Sequence, residues 1–188
     1  MTNFEFVFSL FGLLLGLSLA EVLGGLTRAL KARRRIAIGL LTPLLGLFVC
    51  FDLTSFWASA WALRDAIPAG WPTLFFGFVV SGIYYVAATL VFPDDPGEWE
   101  SYDSYYFAHK KQVLGSILAC NLLMTGALVG MTGFVPGAQP KDWLFQYGFF
   151  LLMLAAIFVR GRRWNLALLG AIIALYPLAA LVGLWLPN

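Results

Sequence analysis

Four stretches of this chain, Pro72–Phe92, Val113–Phe134, Trp143–Val159 and Trp164–Asn188, contain no Asp, Glu, Lys or Arg. Two more, Phe6–Leu26 and Ile36–Leu63, contain one acid each, Glu21 and Asp52. Runs of this kind match the ~20 residues a helix needs to cross about 30 Å of hydrocarbon. With 61% hydrophobic and 12% charged residues, the chain falls far below the roughly 25% charge of a soluble domain. Its mean hydropathy of +0.83 leaves lipid as the solvent. The runs are continuous rather than alternating, which favours helices over a barrel. The expectation is an all-α integral membrane protein, one transmembrane domain over 1–188, with six spans at about 4–27, 36–63, 72–92, 112–134, 143–160 and 164–186. Glu5 precedes the first apolar run and no basic segment does, so the N-terminus reads as a span rather than a cleaved signal. Cys50 and Cys120 lie inside apolar runs and read as small hydrophobes.

Charge orients the bundle. Ten of the twelve Lys and Arg residues fall in alternate connections. These are Arg28, Lys31, Arg33, Arg34 and Arg35 after the first span, Lys110 and Lys111 after the third, and Arg160, Arg162 and Arg163 after the fifth. Arg64 and Lys141 lie on the other side. Basic residues stay in the cytoplasm during insertion. The expected location is a bacterial-type inner membrane, with both termini on the non-cytoplasmic side. Trp71, Trp143 and Trp185 then mark outer ends and Trp99 and Trp164 inner ends, at headgroup level. "IPAGWP" (67–72) and "VPGAQPKDW" (135–143) read as turns.

Five of the ten acids and the single histidine share one polar stretch, "VFPDDPGEWESYDSYYFAHKKQ". Asp95 is placed to cap a helix with Pro96 first and Glu98 third. Trp99, Tyr102, Tyr106 and His109 would then share one face of a short cytoplasmic interfacial helix, at about 94–111, between the third and fourth spans, either separate or running on into the fourth. Asp94, Asp95, Glu98, Asp103 and His109 form a candidate pH-sensing or docking loop, since histidine is the side chain suited to sensing pH in the physiological range. The bland reading is a solvated acidic face. The spacing matches no metal-ligand motif, so no metal or cofactor is expected.

The acids inside the spans are the sharper signal. A charge facing lipid costs about 2.5–3.5 kcal/mol even on the lenient insertion scale, so Glu21 and Asp52 should face the bundle interior, a cavity or a partner. Ser55 and Ser59 follow Asp52 on one helix face; Asn121 lies mid-span, and Tyr84, Tyr85 and Tyr176 lie within spans. Asp52, Glu21, Asn121, Tyr85, Ser55 and Ser59 form a candidate polar pathway, against the alternative of helix–helix clasps. Gly12, Gly16, Ala20 and Gly24, and separately Gly126 and Gly130, form small-residue ladders suited to close packing within or between chains. Pro43 and Pro177 are expected to kink their helices. Leu15, Gly16, Leu19, Ala20 and Leu23 recur as Leu114, Gly115, Leu118, Ala119 and Leu122, which raises a 3+3 inverted repeat of the kind transporters use.

No metalloprotease, nucleophile-elbow or phosphate-loop motif is present, so an enzyme is not expected. A net charge of +2 gives no basis for nucleic-acid binding. The functional expectation is a proton, ion or small-solute channel or transporter. The alternative is a non-catalytic structural subunit or assembly factor of a larger membrane complex. The partners expected are the bilayer and a second copy or another membrane protein. Reporter fusions active only outside the cytoplasm should be active at both termini; a cytoplasmic reporter active at both would reverse the orientation.

Overall fold

A computed structural model describes residues 3–62, 64, 68, 70–132 and 140–185. Among them, six α-helices and no strand are found: α1 (Asn3–Ala32), α2 (Leu41–Ala62), α3 (Trp71–Thr89), α4 (Tyr102–Thr132), α5 (Pro140–Phe158) and α6 (Arg162–Trp185). Five are long and apolar enough to span a membrane; the apolar part of α5, Leu144–Phe158, is shorter. The chain is therefore a helical membrane bundle. Ile67, Ala69 and 135–139, within the stretches where turns are expected, and the side chains of Trp143 and Trp185 lie outside the described residues.

Two boundaries differ from the sequence reading. No separate interfacial helix forms over 94–111. Asp95 caps a single 3-10 turn, Pro96–Glu98, by accepting from the Gly97 N–H at 2.8 Å. α4 then starts at Tyr102 and continues unbroken into the membrane. α2 begins at Leu41, which puts Pro43 in the first turn, where its missing N–H has no intrahelical partner to lose. It is therefore a helix-start proline rather than a kink; Pro177 does lie inside α6.

α1 packs most extensively along α3, while α2 touches α1, α4 and α6. Close approach depends on glycines other than those of the ladders. The tip of the Phe11 ring of α1 meets Gly77 of α3, and a Cβ there would overlap it. Phe92, after α3, fills a slot in which a Cβ on Gly25 would come within 2.5 Å of its ring and one on Gly46 within 3.1 Å. At Gly16, Gly126 and Gly130 a Cβ would meet nothing within 4 Å, so these ladder positions make no contact within the chain. Nor are the neighbours those of two equivalent halves, since α4 and α6 do not pair along their lengths as α1 and α3 do.

The end of the bundle that carries the three basic connections is tied by polar contacts. The Tyr102 N–H donates to the Ala37 carbonyl at 3.1 Å. Asp103 accepts from the Leu41 N–H at 3.1 Å, capping α2, and pairs with Arg162 of α6 at 2.8 Å. Gly39, at φ +66°, adopts a left-handed conformation that favours glycine, and a Cβ there would strike the Asp103 carboxylate. Lys110 is 3% exposed. Its ammonium donates to the carbonyls of Ala156 (2.8 Å) and Val159 and to Asn165 Oδ1 (2.8 Å). Three donors thus meet three acceptors, two of them carbonyls at the α5 C-terminus that lack helical partners.

Gly77→Val should lower the melting temperature in detergent by the equivalent of about 1–3 kcal/mol, because Phe11 must move. Gly126→Ala, in open space, should leave it unchanged or slightly higher. Equal losses would show that Phe11–Gly77 is not a packing point.

Candidate functional site

Four helices converge on one carboxylate. Asp52 of α2 is 3% exposed. It accepts from the Tyr84 hydroxyl of α3 at 2.5 Å and from the Tyr176 hydroxyl of α6 at 2.8 Å. The Asn121 amide of α4 is shared between its two oxygens at 3.2 Å each. All three partners donate, the arrangement an anion needs. Interhelical bonds of this kind in lipid are worth about 0.6–2 kcal/mol each, so together they offset much of an insertion cost of about 2.5–3.5 kcal/mol. Rings hold the tyrosines in place: Phe56 lies edge-on to Tyr84 at 5.5 Å, and Phe51 and Phe149 flank Tyr176 at 5.8 and 6.2 Å.

The two sides of this carboxylate differ. Toward the basic connections, one turn away on each of five helices, stand Phe48, Ala87, Ile117, Met153 and Ile172, all fully buried. They form a dry plug. Away from the basic connections a partly open cavity of about 160 Å³ begins at Asp52, lined by Ser55, Phe56, Ser59, Asn121, Met124, Thr125, Leu128 and Gln146. The hydroxyls of Ser59 and Thr125 donate back to the Ser55 and Asn121 carbonyls, at 2.9 and 2.8 Å. Their donors are consumed within their own helices, and their oxygen lone pairs remain to accept. The cavity thus presents the Ser59 and Thr125 oxygens as acceptors beside Ser55 and Gln146, with an acid at its floor.

The structure therefore brings together Asp52, Asn121, Ser55 and Ser59. It does not bring in Tyr85, which is 39% exposed on the outside of α3; Tyr84 is the tyrosine at the site, because adjacent helical residues point about 100° apart. Glu21 lies apart, in an ion pair of 2.8 Å with Arg28, two turns along the same helix. Tyr176 was visible as an in-span tyrosine, whereas Gln146 and Thr125 carried no distinguishing signal.

The polar stretch is spread out. Asp94, Asp95 and Glu98 are exposed. Asp103 is committed to Leu41 and Arg162. His109 stacks on Tyr105 at 4.1 Å between centroids, with Trp99 edge-on at 5.5 Å, and its Nδ1 lies 3.2 Å from the Tyr105 carbonyl. Among the described residues no group of three or more His, Cys, Asp or Glu side chains could hold a metal ion. Lys110, read from sequence as a loop cation, is instead buried with Tyr106 and Asn165, whose Oδ1 also accepts from the Tyr106 hydroxyl at 2.8 Å. Tyr102, Tyr106 and Lys110 recur every four residues, and that spacing was the available clue.

No protein family, no curated protein and no solved structure matches this chain.

Tyr84→Phe should destabilise the bundle by about 1–2 kcal/mol by removing a donor from Asp52. Tyr85→Phe should have no measurable effect. Thermal unfolding in detergent of both variants, side by side, checks the assignment.

Proposed function

We propose that this polytopic membrane protein acts as a transporter or channel of the bacterial inner membrane, admitting a proton or small cation from the non-cytoplasmic side to Asp52. The observation that carries this reading is the one-sided cavity, lined by oxygen acceptors and ending on a carboxylate. Such a surface suits a visitor that donates hydrogen bonds or carries positive charge. In this reading the buried apolar side chains beneath Asp52 close the path toward the cytoplasm, and a transport cycle would have to part Phe48, Ile117 and Met153. Glu21, on the cytoplasmic side by the charge rule, is a candidate second station once the plug opens. No catalytic step is assigned.

A non-catalytic subunit or assembly factor is the second reading. It is favoured by the same bonds seen as a clasp, because Asp52 links α2 to α3, α4 and α6.

In sealed liposomes, purified wild type should carry protons or monovalent cations, and Asp52→Asn should reduce that flux at least tenfold while still inserting and folding. Flux unchanged in Asp52→Asn would refute the role of the carboxylate. Absence of flux from folded wild type across pH and voltage would move the assignment to the subunit reading, which requires a stoichiometric partner on gentle extraction.

A further inference from the structure

The cytoplasmic end of α1 carries a group of cations that the fold does not use. Arg28 is taken by Glu21 and Arg162 by Asp103, and Lys110 is enclosed. Among the described residues, by contrast, Lys31, Arg33, Arg34 and Arg35 are exposed and pair with no acid. Thr27, Leu30, Lys31 and Arg34 recur at three- and four-residue steps, and with Arg33 they line an open concavity of about 500 Å³. Like charges gathered this closely repel one another, which is tolerable when a counter-charge is supplied from outside.

What adjoins this concavity defines the counter-charge. Leu10, Leu13, Leu17, Leu23 and Leu30 are all exposed along the outer face of α1, leading into the basic group. Beside them Ala20 is exposed, and Gly16 has open space around it, so the helix surface there is shallow. An apolar track that ends in unpaired cations at the membrane surface matches an amphiphile with an anionic head.

We propose that Lys31, Arg33 and Arg34 bind the phosphate of an anionic phospholipid whose acyl chains lie along the exposed leucine track of α1. The guanidinium groups offer paired N–H donors that fit phosphate oxygens, and the ammonium adds a point charge. Thr27, whose hydroxyl donates to the Leu23 carbonyl at 2.9 Å, forms the floor without competing for the phosphate. The site is independent of the Asp52 cavity.

The test is native mass spectrometry of the full-length protein in mild detergent, titrated with phosphatidylglycerol, phosphatidylcholine or inorganic phosphate. Wild type should retain phosphatidylglycerol as a discrete adduct and phosphatidylcholine far less. Each interfacial cation is worth about fivefold in affinity, so Lys31→Gln/Arg33→Gln/Arg34→Gln should lose about a hundredfold, and Arg34→Gln alone about fivefold if the triple variant does not fold. Arg160→Gln/Arg163→Gln, which removes equally exposed charge elsewhere, should keep the adduct. Full retention by the α1 variants, equal loss in the control variant, or equal binding of phosphatidylcholine would overturn the site. Displacement by inorganic phosphate at concentrations matching the lipid would overturn the lipid assignment.

Discussion

A carboxylate inside hydrocarbon cannot be left to water, and much of this bundle follows from that. Asp52 needs donors, and the backbone N–H groups of its own helix are already spent. Tyr84, Asn121 and Tyr176 supply them from α3, α4 and α6. Those bonds fix how each helix is rotated about its axis, which weak apolar packing among leucines and alanines would leave loosely defined. The same requirement explains the rings around the site: Phe51, Phe56 and Phe149 restrict the tyrosines so that their hydroxyls stay aimed at the acid.

The opposite demand operates at the basic end. There the polar groups are many, and besides the Asp103–Arg162 ion pair the contacts of Asp103, Lys110 and Asn165 satisfy helix termini. Asp103 supplies the first turn of α2, and Lys110 with Asn165 closes the end of α5 onto the start of α6. Loops that would otherwise be independent are tied to the entry of α4. The bundle is thus cross-linked at one end by caps and at mid-depth by Asp52, while the cavity occupies the region between Asp52 and the far end.

The helices and their number are legible in the sequence because charge is nearly absent from the spans, and an apolar run has few alternatives in lipid. Asp52, Ser55, Ser59 and Asn121 stand out for the same reason. The choice between Tyr84 and Tyr85 is not legible, since helix rotation depends on where the partner acid lies in space, tens of residues away. Lys110 is missed because two of its three partners are main-chain carbonyls at the end of α5, which leave no trace in residue identity. Pro43 misleads because its local signal is real but the helix boundary decides its use, and the ladder glycines Gly16, Gly126 and Gly130 are not the packing points within the chain. Gly77 and Gly25, whose neighbours are bulky aromatic rings, are the glycines that matter for packing.

The spacing of the Asp52 partners along the chain also sets a schedule for biogenesis. Tyr84 follows the acid by 32 residues, Asn121 by 69 and Tyr176 by 124. At synthesis rates of about 5–20 residues per second, the last partner emerges roughly 6–25 s after the acid. During that interval α2 cannot settle among lipids as it sits in the finished bundle. Until α6 arrives its carboxylate has at most two of its three final donors. A chain that ends before α6 therefore keeps an incomplete donor set around Asp52, and the finished polar site is a property of the whole six-helix chain.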